Sequence, residues 1–314
     1  MTLRSEECVM VERATGVFLG LACGDALGRP VEGWPAGRIE REYGTLTEFV
    51  GNGTHDQPAG TVTDDTQLAV VLSRSLLECD GFDREDFVSR LLEWYESRPF
   101  GIGGTTTEAL RQIADGIEPL EAAERARAAK PPGRKATNGS VMRCAPIAIA
   151  YREDCEELER ASRESSRVTH ADPRCVHGCA VLNRTIANAL LERGDPLERA
   201  HSALPTDAPE ELREGLAPIP DAVEPDDLEP ANDAVETLRT ALYHALTADS
   251  AEKAIVGAVN EGGDTDTIGA IAGAVAGARF GAGDLPERWL STLEGRQEIE
   301  RLAQDLHELE PGPV

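Results

Sequence analysis

Two short runs of oxygen-bearing side chains stand directly ahead of apolar stretches: Thr63-Asp64-Asp65-Thr66 before Leu68, and Gly262-Gly263-Asp264-Thr265-Asp266-Thr267 before Ile268. Each has an ordinary structural use, because an acid or hydroxyl at a helix start caps free N–H groups and suits the helix dipole. In the first run this makes Asp64 the cap, with Gln67 three residues on. Capping uses one carboxylate and one hydroxyl per helix, whereas the two runs together offer four carboxylates and several neutral oxygens. Oxygen-rich sets of this kind suit hard cations, Mg²⁺ or Mn²⁺, and two ions about 3.5–4 Å apart would neutralise them.

Other runs carry weaker signals. Asn138-Gly139-Ser140-Val141-Met142-Arg143 opens on a turn dipeptide, and Thr169-His170-Ala171-Asp172-Pro173 holds a single histidine, a residue more often structural than catalytic. The loop Gly101-Ile102-Gly103-Gly104, followed by Thr105 to Thr107, leads into a helix whose free N–H groups could meet phosphate. No Gly-x-x-x-x-Gly-Lys-Ser/Thr is present, so P-loop nucleotide hydrolysis is not supported. Cys175, His177 and Cys179 lack a fourth ligand for structural zinc and read as buried free thiols beside a histidine.

The elements that must position these residues are helical. Leu68–Leu77, Phe87–Tyr95, Thr107–Ala114, Leu120–Ala129, Val176–Leu191, Ala234–Leu246 and Ile268–Phe280 are Ala- and Leu-rich with helical charge spacing, and period-2 strands are missing. Glycine recurs every fourth residue twice, at Gly16, Gly20, Gly24 and Gly28 and at Gly269, Gly273, Gly277 and Gly281. Each interior glycine costs a helix about 0.8–1 kcal/mol relative to alanine, so one bare face on each helix predicts a close backbone crossing. The segment 205–233, with six prolines and ten acids against Arg213, is expected to be an exposed acidic loop within one domain spanning residues 1–314.

Composition narrows the function. The 314 residues carry 31 Lys+Arg against 57 Asp+Glu, a net charge of −26, which disfavours nucleic acid as a partner. Only Lys130, Lys135 and Lys253 are lysines; many carboxylates with little lysine suggest a halophilic host, where about 1 M salt screens self-repulsion over about 3 Å. The acidity is spread along the chain rather than confined to the 205–233 segment. Seven scattered cysteines fit reduced thiols in a cytoplasm. The first thirteen residues lack an apolar signal core, and Ile268–Ala278 falls short of the roughly 20 residues of a membrane span, so a soluble cytoplasmic protein is expected.

Taken in order, GLACGDALGRPVEG, TDDT, NGSVMR, THADP and GGDTDTIGAIAGAVAGARFG resemble the signature blocks of the ADP-ribosylglycohydrolases, over about residues 14 to 282. The resemblance implies an all-α, compact, mostly orthogonal helical bundle with two Mg²⁺ (or Mn²⁺) at the bottom of a cleft. By motif, Thr63, Asp64, Asp65, Asp264, Asp266 and Thr267 would surround the metals, and Glu32 or Asp65 would move the proton. Gly103, Asn138, Gly139, Ser140, Met142 and His170 would line the substrate, Gly103 at the phosphates and His170 under the ribose. The implied reaction is hydrolysis of the bond linking ADP-ribose to a protein side chain, by a monomer without nucleic-acid or membrane partners. Small derivatives such as O-acetyl-ADP-ribose are the alternative substrates, and a non-catalytic ADP-ribose-binding relative is the alternative class.

Overall fold

The two glycine series lie face to face. In the computed structural model, which describes residues 3–217 and 219–314, helix α1 (Leu3–Gly28) runs antiparallel along α14 (Thr265–Phe280). Gly16 meets Gly277, Gly20 meets Gly273 and Gly24 meets Gly269, and a methyl group at any of them would fall on the partner's carbonyl oxygen. Helix α1 from Ala14 onward and α14 over Thr265–Ala278 are buried all round, as small and apolar helical stretches must be. Because they run in opposite directions, the end of α1 sits against the start of α14, where the Thr265 hydroxyl donates to Gly28 O at 2.8 Å.

The remaining helices surround this pair. They are α2 (Ala36–Tyr43), α3 (Asp64–Glu78), α4 (Arg84–Glu96), α5 (Gly104–Ala114), α6 (Pro119–Ala128), α7 (Ala145–Ala150), α8 (Cys155–Arg167) and α9 (Pro173–Leu190). After them come α10 (Pro196–Ser202), α11 (Glu210–Leu216), α12 (Ala234–Thr247), α13 (Ala251–Asn260), α15 (Glu287–Leu290) and α16 (Arg296–Glu308). Helices α9, α12 and α13 pack on α14, and α16 packs on α1. Among the described residues there are isolated bridges but no strand, so the architecture is all-α, as expected. No described helix is long and apolar enough to cross a membrane, and all seven cysteines are free.

The expectation of an exposed loop at 205–233 needs correction. The segment contains α11 and buries Ala208, Leu212, Leu216, Ile219, Val223 and Leu228. Its prolines and acids are interleaved with apolar residues at spacings that let one side face the core while the carboxylates stay in water. Pro209 begins α11 rather than breaking it, a position where a missing N–H costs nothing. The last residues of the segment pair with the Asn138 turn: Asn138 N donates to Asn232 O at 3.1 Å and Ala234 N to Ala136 O at 2.8 Å.

Candidate active site

Three helix ends converge on one cleft. The first is the end of α1, where Asp25 is fully buried and accepts four hydrogen bonds from the start of α3. Thr63 N reaches its carboxylate at 3.0 Å, Thr66 N at 3.1 Å and the Thr66 hydroxyl at 2.5 Å. Asp25 thereby satisfies free N–H groups of α3 from outside the helix. Burial outweighs those bonds and pushes its carboxyl up to about 6.

The second end is the start of α3. Its cap is Thr63, whose hydroxyl accepts from Asp65 N at 3.3 Å and donates to Asp65 Oδ2 at 3.0 Å. Asp64 is therefore not the cap, contrary to expectation; Asp64 and Asp65 are the first two helical residues, with both carboxylates turned to the cleft. Gln67 is used elsewhere, accepting from Trp94 Nε1 at 2.9 Å. Asp65 Oδ1 is buried without a hydrogen-bond partner.

The third end is the start of α14. Asp264 precedes the helix but caps nothing; Asn138 Nδ2 donates to its Oδ2 at 2.6 Å. Asn138 is itself fixed by its contact with the Thr237 hydroxyl at 3.0 Å. Gly33 N donates to Gly263 O at 2.7 Å and Gly263 N to Trp34 O at 2.8 Å, so the turn carrying Glu32 is clamped beside Asp264 and Asp266.

The resulting cavity, about 160 Å³ and partly open to solvent, is lined by Glu32, Asp64, Asp65, Asp264 and Asp266, among others. Burial drives Asp64 up to about 8, with repulsion from Asp25 and Glu32 added and the Gly103 N–H opposing. Asp65 and Asp266 are held well above the usual carboxylate range, first by burial and then by neighbouring acids, and Asp264 is raised for the same first reason. Four buried acids held above the usual carboxylate range, and one carboxylate oxygen with no partner, fit a hard divalent cation held by oxygens.

The rest of the lining is different in character. The start of α5 has no side-chain cap, and Lys130 stands beside Gly104, the one basic side chain lining the cleft among the described residues. His170 closes the wall. Arg143 Nη2 donates to the Thr169 hydroxyl at 2.8 Å, and that hydroxyl is hydrogen-bonded to His170 Nδ1, also at 2.8 Å, which leaves Nε2 facing the cleft wall. Burial, then the charges of Arg143 and Lys130, lower the imidazole to about 3, so it is a neutral donor. The Gly139 backbone lies against the ring, where a Cβ would come within 2.9 Å of Cε1.

Of the residues singled out in the sequence, Glu32, Asp64, Asp65, Gly103, Asn138, Gly139, Met142, His170, Asp264, Asp266 and Thr267 line this cavity. Thr63 and Ser140 do not. Thr63 sits behind Asp65, and Ser140 turns away, its hydroxyl accepting from Ser166 at 2.9 Å and from the Cys179 thiol at 3.6 Å. Cys175 donates to Thr137 O at 3.2 Å, so both thiols brace the Asn138 turn from behind. Sequence reasoning missed Asp25, His55, Lys130 and Asn232. Asp25 had a usable signal, as the one acid between Glu12 and Glu32, in a stretch from Ala14 to Gly28 otherwise without a charge.

A profile of the ADP-ribosylglycohydrolase family matches residues 8–313. The chain is 32% identical over 290 residues to the ADP-ribosyl-dinitrogen reductase glycohydrolase of Rhodospirillum rubrum, covering 92% of each chain. It is 29% identical over 315 residues to the ADP-ribosylarginine hydrolase Tri1 of Serratia proteamaculans, covering 97% of this chain and 81% of that one. A solved ADP-ribosylglycohydrolase-related protein complex superposes with a TM-score of 0.79 at 36% identity, covering 96% of this chain and 98% of the other. With its matching profile, its full-length relatives and its helix-end acids, this chain belongs to the ADP-ribosylglycohydrolase family.

Proposed function

We propose that this protein hydrolyses the glycosidic bond at C1 of the distal ribose of ADP-ribose carried on a modified side chain, with arginine as the first linkage to test. The observation that carries this reading is the mixed lining of the cleft: acids from two helix starts and from the Glu32 turn share it with an uncapped helix start and Lys130. A ligand with a ribose at one end of a diphosphate matches both. The names of the Rhodospirillum and Serratia relatives support the same substrate class.

Asp64, Asp65, Asp264, Asp266 and Thr267 would hold the metal, two Mg²⁺ or Mn²⁺, with Thr63 acting through Asp65. Bound there, divalent cations supply charge for the ribose hydroxyls and acidify a water. The protein's own groups do the rest. Asn138 fixes Asp264, neutral His170 offers Nε2–H to the substrate, and the bare Gly139 leaves room for the His170 ring against the turn. Cleavage builds oxocarbenium character at C1, so the leaving group must be protonated as the bond breaks. Glu32 sits at the rim with its carboxylate partly in solvent, suited to exchange that proton, and Asp65 is the second candidate. In this reading the enzyme is a single-domain monomer of a saline cytoplasm, which its spread acidity and free thiols support.

The test is release of ADP-ribose from arginine-linked and serine-linked peptides and from O-acetyl-ADP-ribose, with chelator and with Mg²⁺ or Mn²⁺ restored. Turnover of at least one linkage should vanish with chelator and return with metal. Asp266→Ala should lower kcat by at least about a thousandfold through loss of metal. Full turnover by metal-depleted Asp266→Ala would remove the mechanism, and turnover of the acetyl ester alone would move the substrate to small derivatives.

A further inference from the structure

His55 belongs to no motif in the sequence, yet the fold fastens it to the site. It ends a single turn, Gly53–His55, in the connection between the Glu32 turn and α3. Arg29, fully buried, donates from Nε to Thr61 O at 3.1 Å, from Nη1 to Asn52 O at 3.1 Å and from Nη2 to Val50 O and Pro58 O at 3.2 and 3.0 Å. One side chain from the end of α1 thus ties down both limbs of the loop. Gly53, at φ +72°, lies against Pro30 with no room for a Cβ, and the Thr54 hydroxyl donates to Glu32 O at 2.7 Å. Phe100 packs against the imidazole with ring centres 5.4 Å apart.

So held, His55 Nε2 is hydrogen-bonded to Glu32 Oε2, and one ligand atom each from Glu32, His55 and Asp266 lie within 4.8 Å of one another. An ionised carboxylate only accepts, so this bond needs the proton on Nε2. While it is made, that nitrogen has no lone pair to give a cation. We infer that His55 is a positioning residue for the hydrolysis: it holds one oxygen of Glu32 and so aims the other into the cleft. Glu32 is on a short turn with 30% of its side chain exposed, and without His55 it is free to swing into solvent. The inference deepens the proposed function and rests on its assignment of Glu32.

Two full-length variants separate the possibilities: His55→Phe keeps a ring against Phe100 but has no donor, and His55→Gln keeps an N–H at similar reach. With Mn²⁺ present, His55→Phe should lose about 10- to 100-fold in kcat, while KM and Mn²⁺ affinity, read by paramagnetic resonance, stay within about threefold of wild type. His55→Gln should regain most of that loss. Crystal structures read the geometry independently of turnover: Glu32 should keep its rotamer in wild type and His55→Gln and lose it in His55→Phe. Wild-type kcat in His55→Phe, equal impairment of both variants, or an unchanged Glu32 rotamer in His55→Phe would overturn the inference. So would a tenfold or greater drop in Mn²⁺ affinity, which would make His55 a ligand. A wild type inactive on every linkage would instead sink the proposed reaction, leaving the Glu32 rotamer as the arbiter for His55.

Discussion

In a chain with 57 acids and three lysines, Lys130 stands inside a cleft lined by five carboxylates, next to the start of α5. A cation there has no structural task in the cleft wall, while a helix start and an ammonium together favour a dianion. Lys130→Gln is expected to weaken ADP-ribose binding about three- to tenfold, the modest end being set by its partial exposure to solvent. Adenosine, which has no phosphate, should bind both forms equally. Calorimetry at low and at molar KCl checks this, and equal weakening of both ligands would show that Lys130 does not read phosphate. The residue scale is also where the sequence was hardest to read. Asp25 stands out as a lone acid but its task does not, because its partners, Thr63 and Thr66, are 38 and 41 residues away, and His55 is silent because its partner Glu32 is 23 away and the link depends on Arg29 holding the loop. Ser140 sits in the right motif, yet its hydroxyl is consumed by Ser166 and Cys179 on the far side of the turn.

Elements were far more legible, because their signals are local and repeat. The spacing of the two glycine series identified a close crossing, and the structure pairs Gly20 with Gly273 and Gly24 with Gly269. The helix expected to begin at Leu68 begins at Asp64, because its first turn is polar and apolar periodicity starts only in the second. The same blindness hid α11, where prolines and acids mask a buried Leu212 and Leu216. The crossing has a measurable consequence. Alanine at Gly24 or Gly273 gains about 1 kcal/mol of helix propensity but places a methyl on a carbonyl with no flexible side chain to yield. The net effect should be a loss of about 2–3 kcal/mol in urea unfolding. Since the crossing sets how the end of α1 meets the start of α14, Gly24→Ala should also weaken Mn²⁺ binding. A neutral or stabilised Gly24→Ala would mean that the two backbones can part at little cost.

At the scale of the whole molecule the acidity falls into two populations with different responses. The dispersed surface acids repel through water, so molar KCl should raise the melting temperature relative to 0.1 M by screening them. Salt that left the melting temperature unchanged would remove the argument for a saline host. The site acids are different, because burial shields them from that screening and they respond to pH and divalent cations instead. In the unfolded chain they titrate near 3.9. In the folded protein Asp25 is raised to about 6 and Asp64 to about 8, and Asp65, Asp264 and Asp266 are raised as well. Between these limits the folded state binds more protons than the unfolded one, so its stability falls as pH rises. Their favourable contribution is complete below about pH 4 and is lost on passing about pH 8. In chelator, therefore, the melting temperature should drop steadily from about pH 5 to about pH 8.5, and saturating Mg²⁺ or Mn²⁺ should flatten that slope by stabilising the ionised acids. A flat profile in chelator would show that these carboxylates are matched by the protein alone, and the physical case for a cation at the helix ends would go with it.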